Sequence, residues 1–176
     1  MNVPILNIPG YGNSGPDHWQ NIWESQSSHI ARVIQEDWHN PVQLQWVESI
    51  ERAVAASDQP PILVAHSLGC LALVHWATKS QLRIAGAMLV AVPDPYGEQF
   101  PKKAIGFAPL PKTKFPFRSI IVMSTDDPYA DPHFVMQFAE TCGGDLIDIG
   151  AAGHINAASG VGQWRRGHEL LQTLLR

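Results

Sequence analysis

Apolar runs alternate with amphipathic stretches along the chain. Short apolar runs rich in β-branched residues are typical of buried strands, and apolar residues recurring at three- and four-residue steps are typical of core-facing helices. The first pattern predicts six strands, at 3–8, 31–35, 62–65, 84–92, 119–124 and 145–149. The second predicts five helices, from 16 to about 27, 42 to about 57, 68–77, 131–143 and about 162–175. This alternation predicts an α/β fold of three layers, with a parallel sheet covered by helices on both faces.

The sharpest change of pattern falls between residues 61 and 77. The apolar run at 62–65 ends just before a nearly all-apolar segment at 68–77, which is too long for a strand and predicts a buried helix. Between them, Ala65-His66-Ser67-Leu68-Gly69 has small residues two positions before and after a serine. This spacing at a strand-to-helix junction is typical of a nucleophile elbow, in which a strained turn holds the serine hydroxyl clear of the sheet.

The same junction offers a hydrogen-bond donor for an oxyanion. The first turn of a helix leaves backbone N–H groups without intrahelical partners, and the N–H of Leu68 is predicted to point where an oxyanion would form beside Ser67. Ala65 stands where this motif usually has glycine, which weakens the match by one methyl group. The alternative interpretation is a serine that only caps the helix, since serine is a favoured N-cap residue.

A glycine-rich loop at 9–15 admits two interpretations. Gly10-x-Gly12-x-x-Gly15 matches the dinucleotide-binding fingerprint, and Glu36 and Asp37 follow about 20 residues later as candidate ribose ligands. Against a nucleotide site, Asp17 would bring a negative charge to the helix start that should receive the pyrophosphate. In a hydrolase the same glycines let the backbone bend over the serine, with the N–H of Tyr11 as a second donor to the oxyanion.

Candidate partners for Ser67 follow the fifth and sixth predicted strands. Asp126 and Asp127 come directly after residue 124, and His154 follows a Gly-Ala-Ala-Gly turn beyond residue 149. The carboxyl ends of parallel strands meet at one edge of the sheet, and the chain order serine, aspartate, histidine is that of α/β hydrolases. In such a site His154 accepts the serine proton and a carboxylate orients the imidazole. Asp126 and Asp127 compete for that role, and Asp94 is a third candidate.

Further residues are predicted to lie near this site. The candidate pocket residues are Gly10, Gly12, His18, His66 and Tyr129. His66 adjoins the serine, but its side chain is predicted to leave the elbow in another direction. His18 either lines the pocket or begins a helix, and the second interpretation is favoured. The segment 93–117, rich in proline, aromatic residues and lysine, is either a short cap over the pocket, which is favoured, or a solvated loop.

Composition narrows the class of protein. The 176 residues are 45% apolar, which suffices for one domain over 1–176 with a sizeable core. A net charge of −4 without a basic run gives no indication of a nucleic-acid partner. The amino terminus lacks signal-peptide features and no apolar run is long enough to cross a bilayer, so a cytoplasmic protein without membrane contact is predicted. Cys70 and Cys142 lack metal-ligand spacing, which predicts buried free thiols, no metal and no cofactor.

The chain resembles small α/β hydrolases of the retinoblastoma-binding protein 9 / YdeN-like serine hydrolase family over nearly its whole length. The resemblance is carried by Pro9-Gly-Tyr-Gly12 with His18-Trp19, by His66-Ser67-Leu68-Gly69, by Ser124-Thr-Asp-Asp-Pro-Tyr129 and by Gly153-His154-Ile-Asn156. It implies a six-stranded parallel sheet in the order 2-1-3-4-5-6 with little or no lid. It also implies that the acid is Asp127, the aspartate that precedes proline.

The same resemblance implies carboxylesterase or aminoacyl-ester activity. The expected substrate is a small ester, thioester or amide, cleaved through an acyl-enzyme on Ser67. The pocket-protein-binding motif Leu-x-Cys-x-Glu of a family member is incomplete here, because Ala72 stands in place of the glutamate. A binding protein that keeps the hydrolase fold without turnover is the alternative, and the oligomeric state is not indicated by the sequence.

Overall fold

The computed structural model describes residues 3–175 as one six-stranded sheet flanked by five α-helices. The strands are β1 Ile5–Ile8, β2 Ile30–Arg32, β3 Ile62–His66, β4 Gly86–Val90, β5 Ser119–Met123 and β6 Asp145–Asp148. The helices are α1 Trp19–Gln26, α2 Gln43–Ala55, α3 Leu68–Ala77, α4 Pro132–Cys142 and α5 Arg165–Leu174, with a short 3₁₀ turn at Ala157–Ser159. Strand order is β2-β1-β3-β4-β5-β6 and every neighbouring pair is parallel, which confirms the predicted α/β fold and sheet order.

The two faces of the sheet carry separate apolar cores. Alternate residues of a strand point to opposite faces, so Leu63 and Ala65 pack against α2, α3 and α4, while Ile62 and Val64 pack against α1 and α5. Helix α3 is buried along almost its whole length, as its all-apolar sequence predicts. Strand β3 and helix α3 therefore form the centre of the molecule and hold the turn between them rigidly.

Two elements differ from the sequence-based boundaries. Strand β2 ends at Arg32 and does not extend to Gln35. It is an edge strand paired only with β1, and Pro9 follows β1 without a backbone N–H, so the ladder stops and Ile34 is left exposed. Helix α1 begins at Trp19, because His18 is its N-cap; the expectation that Pro16 opens the helix is wrong.

The long segment after β4 contains no helix or strand, and it divides into two parts. Residues Pro93, Phe100 and Pro101 line a cavity beside Ser67. Further along, Phe107 is buried in the core on the α2–α3 side of the sheet, and its carbonyl oxygen accepts a hydrogen bond from His75 Nε2 at 3.0 Å. The first part of the segment is thus a wall of the pocket, and the later part packs against the helices that cover the sheet. Neither of the two predictions, a cap over the pocket or a solvated loop, describes the whole segment.

No helix within residues 3–175 is both long enough and apolar enough to cross a lipid bilayer. Cys70 and Cys142 are buried free thiols, as their apolar surroundings predict. Burial raises the pKa of the Cys70 thiol far above its ordinary value, although its Sγ contacts the Val90 carbonyl oxygen at 3.4 Å. A thiol that stays protonated is unreactive, so Cys70 fills core volume one turn beyond Ser67.

Candidate active site

The turn between β3 and α3 has the strained geometry of a nucleophile elbow. Ser67 has φ 53° and ψ −126°, a conformation rare for a residue with a side chain. A Cβ on Gly69 would lie 2.3 Å from the carbonyl oxygen of Ile8, and one on Gly10 would lie 2.8 Å from the Cβ of Ser67. Only glycine fits these two positions, because the turn packs directly against the chain that leaves β1.

Ser67, His154 and Asp127 form a continuous hydrogen-bonded chain. His154 Nε2 lies 2.8 Å from Ser67 Oγ, and His154 Nδ1 lies 2.9 Å from both carboxylate oxygens of Asp127. A carboxylate only accepts, so Nδ1 carries the proton of the neutral ring and Nε2 is free to accept the Ser67 O–H. The side chains of His154 and Asp127 are 9% and 4% exposed, which shields this contact from water.

The neighbouring aspartates have different tasks. Asp126 Oδ1 accepts hydrogen bonds from Ser124 Oγ at 2.8 Å and from the Gly153 N–H at 2.7 Å. These bonds lower the pKa of Asp126 and tie the turn after β5 to the loop that carries His154. Asp94 caps its own turn, because its Oδ1 accepts from the Tyr96 N–H at 2.9 Å. Asp127 alone of the three candidates has a hydrogen bond to His154 among the described residues.

His66 forms a hydrogen bond with the backbone of His154. Its Nε2 lies 2.9 Å from the carbonyl oxygen of His154, and since a carbonyl oxygen only accepts, Nε2 carries the proton. Burial first, and then the neighbouring His154 and His18, hold the pKa of His66 well below its ordinary value. The side chain thus leaves the elbow away from Ser67 Oγ, as predicted, and fixes the backbone that presents the reactive imidazole.

His18 lies at the N-terminus of α1 and also lines the cavity. Its Nδ1 accepts a hydrogen bond from the Gln20 N–H at 3.2 Å, which makes it the helix N-cap. Burial lowers the pKa of His18 to about 4, and the charges of Arg32 and His154 act in the same direction. Both interpretations drawn from the sequence therefore hold for this residue.

The buried histidines predict a loss of stability in mild acid. An unfolded histidine has a pKa near 6.5, so the unfolded chain binds protons below that pH that folded His18 does not bind until about pH 4. The unfolded state then binds more protons, and stability falls as the pH falls through this window. We expect His18 to contribute up to about 3 kcal/mol to the fall, and His66 to act in the same direction.

Urea unfolding of wild type and His18→Asn across this pH range measures the contribution. The variant is expected to lose clearly less unfolding free energy than wild type between neutral pH and about pH 4.5. Equal losses in the two proteins would contradict the assignment of a buried, neutral His18.

The glycine-rich loop brings its backbone close to Ser67 at Gly10. A Cβ on Gly10 would meet Ser67, whereas Gly12 is not among the residues that line the cavity, which gives the pocket role predicted for Gly12 no support. A Cβ on Gly15 would meet no atom within 4 Å, although a dinucleotide site needs close helix packing at that position. Asp37, the candidate ribose ligand, accepts hydrogen bonds from the His39 and Asn40 N–H groups and closes its own turn. The arrangement does not favour a nucleotide site.

A cavity of about 370 Å³ opens in front of Ser67. Its wall includes Gly10, Tyr11, Phe100 and Tyr129. The Tyr129 ring packs on His154 with 4.3 Å between ring centroids. None of the described residues lining this cavity is a lysine, arginine, aspartate or glutamate. The described lining therefore offers no carboxylate, ammonium or guanidinium group to pair with a charged molecule.

Comparison with known proteins identifies the family. The family described as serine hydrolase matches residues 5–173. This chain belongs to the serine hydrolase family. A protein described as a YdeN-like hydrolase from Pectobacterium atrosepticum is 31% identical, with a TM-score of 0.88 over 98% of this chain and 90% of that one. The resemblance seen in the sequence motifs is thereby confirmed.

More distant structures share the fold of this serine hydrolase. The ydeN gene product of B. subtilis is 19% identical, with a TM-score of 0.79 over 99% of each chain. A thermophilic esterase from Thermogutta terrifontis is 15% identical, with a TM-score of 0.71 over all of this chain and 90% of that one. A comparison with curated protein sequences gave no match.

Sequence analysis missed a buried polar network under the loop of this serine hydrolase. Gln20 Nε2 donates to the Val64 carbonyl oxygen at 3.0 Å, and Gln20 Oε1 accepts from Ser14 Oγ at 2.8 Å. Arg32 donates to the Ser14 carbonyl oxygen at 2.9 Å and pairs with Glu24 at 2.7 Å. These contacts fix the loop between β1 and α1 against the elbow strand. Gln20 is fully buried, and no spacing in the sequence indicated this.

Proposed function

We propose that this serine hydrolase cleaves small uncharged carboxylic esters through an acyl-enzyme on Ser67, with thioesters and amides as related substrates. The observation that carries the proposal is the hydrogen-bonded chain from Ser67 Oγ through His154 to Asp127, with 2.8 and 2.9 Å contacts. Serine is a weak nucleophile unless an adjacent base accepts its proton. The likeness in fold to an esterase agrees with this substrate class.

The reaction follows from these positions. Ser67 Oγ attacks the carbonyl carbon while its proton passes to His154 Nε2, and Asp127 stabilises the resulting imidazolium. The tetrahedral intermediate collapses when the same proton passes to the leaving-group oxygen, which departs as an alcohol. Water then donates a proton to His154 and attacks the acyl carbon, and the carboxylic acid leaves as Ser67 regains its proton.

The oxyanion requires two donors, for which Tyr11 and Leu68 are proposed. The N–H of Leu68 belongs to the first turn of α3, where helix N–H groups have no intrahelical acceptor. Tyr11 lies in a turn that two backbone hydrogen bonds hold in place. The Gly12 N–H donates to the Trp38 carbonyl oxygen at 2.9 Å, and the Asn13 N–H donates to the Gly10 carbonyl oxygen at 3.1 Å. Donors fixed in advance stabilise developing charge without reorganisation.

Covalent labelling tests the proposal. A fluorophosphonate probe is expected to label wild type stoichiometrically and to leave Ser67→Ala unlabelled. Ser119→Ala is the matched control, because Ser119 is a buried serine whose Oγ has no hydrogen-bond partner within residues 3–175. Equal labelling of wild type and Ser67→Ala, or no labelling of a folded wild type, would overturn the proposal and favour a binding protein on a hydrolase fold.

A substrate panel defines the chemical class. Butanoate presented as ester, thioester and amide, beside a monoester of succinate, separates bond type from charge. The neutral ester is expected to turn over faster than the succinate monoester, since no described residue in the cavity wall is a cation that could pair with the extra carboxylate. Preference for the charged substrate would contradict the assignment of an uncharged one.

A further inference from the structure

His18 has its proton on the nitrogen that faces away from the helix. Its Nδ1 accepts the Gln20 N–H at 3.2 Å, and a backbone N–H can only donate. Nδ1 therefore carries no proton. Since burial keeps this ring neutral, the single proton lies on Nε2. The N-cap contact thus decides the tautomer, and the opposite edge of the ring presents an N–H donor.

That donor has no acceptor within the described part of the chain. His18 is 6% exposed, and its Nε2 is a buried polar atom without a hydrogen-bond partner among residues 3–175. Buried donors in native proteins are almost always paired. The same ring forms part of the wall of the cavity in front of Ser67. Because the ring lies in the cavity wall, a bound molecule that reaches the Nε2 edge is a source of the missing acceptor.

The neighbouring rings place this donor on one side of the site. His18 contacts His66 with 4.7 Å between ring centroids, and His66 contacts His154 with 5.0 Å. His18 therefore lies at one end of a row of three imidazoles, and the base His154 lies at the other end. His154 Nε2 must reach the leaving-group oxygen to protonate it, so the leaving group occupies the His154 side of Ser67.

We propose that His18 is a specificity-determining residue whose Nε2–H donates a hydrogen bond to an oxygen in the alcohol part of the substrate. The inference rests on the proposed ester hydrolysis and extends it, because it names a polar leaving group as the preferred class. An ether or hydroxyl oxygen a few bonds beyond the scissile ester is the acceptor that such a donor selects. Alcohol parts that are purely alkyl leave the donor unpaired and bind less well.

The Nε2–H of His18 could instead be directed at a neighbouring ring of the protein. The rings of His18 and His66 meet edge to face, and a ring face is a weak acceptor for an N–H. If the N–H is directed at His66, a substrate oxygen gains nothing from His18. The two cases predict different substrate preferences.

Two substitutions of His18 separate its two nitrogens. Asparagine places an oxygen where Nδ1 stands, so His18→Asn keeps the N-cap acceptor and removes the outer donor. Glutamine places its amide nitrogen where Nε2 stands, so His18→Gln keeps the donor and removes the cap. A purely structural His18 would make His18→Asn the milder change in every measurement.

Matched esters report the hydrogen bond. Methoxyethyl butanoate and butyl butanoate differ by one oxygen in the alcohol part, and methyl methoxypropanoate and methyl pentanoate differ in the same way in the acyl part. For the alcohol pair, wild type is expected to favour the oxygen-bearing ester about tenfold in kcat/KM, mainly through KM. The preference is expected to vanish in His18→Asn and to persist in His18→Gln, whereas the acyl pair shows no dependence on His18.

Each other outcome decides against the inference. No preference in wild type, or the same preference in His18→Asn, would overturn the role of the Nε2–H. Dependence confined to the acyl pair would overturn its placement beside the leaving group. Fluorophosphonate labelling of the same preparations separates the two proposals: labelled enzyme without the predicted preference refutes only the role of His18, and unlabelled enzyme refutes the hydrolytic mechanism itself.

Discussion

Replacing Ser67 by alanine is expected to lower kcat/KM for butanoate esters by about 10⁴- to 10⁶-fold. The substitution removes the proposed attacking atom, the Oγ that lies 2.8 Å from His154 Nε2. It leaves the backbone at the same positive φ, which alanine and serine tolerate equally poorly. The unfolding free energy is therefore expected to change little, and the lost rate reports chemistry and not folding.

A double variant sharpens this prediction. Ser67 and His154 act as one unit, so Ser67→Ala/His154→Ala is expected to be no slower than Ser67→Ala alone. The residual rate in both variants is expected to come from substrate binding and from the proposed oxyanion donors, the N–H groups of Tyr11 and Leu68. Steady-state kinetics with urea unfolding curves for each protein provide the test. A multiplicative loss in the double variant would show that the two side chains act independently.

Asp127→Asn is expected to lower kcat by about 10⁴-fold while the protein stays folded. Asp127 Oδ1 also accepts the Tyr129 N–H at 2.9 Å, so the asparagine keeps its carbonyl oxygen there and turns its NH₂ toward His154 Nδ1. Oδ1 also lies 2.9 Å from Nδ1, but an NH₂ group at the Oδ2 position repels a proton on Nδ1, so the variant favours the tautomer with the proton on Nε2. That tautomer presents an N–H to Ser67 Oγ and cannot accept the serine proton.

The neighbouring aspartate supplies the matched control. Asp126→Asn makes the same chemical change one residue away, but Asp126 bonds to Ser124 and to the Gly153 N–H and not to the imidazole. We expect it to lower kcat by no more than about tenfold, through a looser His154 loop. If Asp126→Asn were the more damaging change in a folded protein, the assignment of the acid would have to be reversed.

The strand pattern and the elbow could be predicted because they depend on local sequence. Apolar β-branched runs predicted all six strands, and the five residues around Ser67 predicted its strained turn. The end of β2 could not be predicted, because it depends on where β1 stops and Pro9 removes a donor. The hydrophobic periodicity describes one segment of the chain at a time, whereas the pairing of two strands depends on both of them.

The site shows the same division between local and distant information. Gly10 and Gly12 are equivalent in the sequence motif, yet only Gly10 approaches Ser67. His18 was expected mainly to begin a helix, and its unpaired Nε2 in the cavity wall depends on rings 48 and 136 positions further along, those of His66 and His154. No spacing rule relates such distant residues.

The sequence alone determined the class of fold, the candidate nucleophile and the order in which its candidate partners follow, since each of these depends on short motifs at strand ends. Only the tertiary structure distinguished Asp127 from Asp126 by contact and divided residues 93–117 between pocket wall and core. It also left the His18 donor without an acceptor among residues 3–175. The physical reason is that hydrogen bonds and cavities join atoms from strands β1, β3, β5 and β6, whose spacing is fixed only when the sheet has assembled.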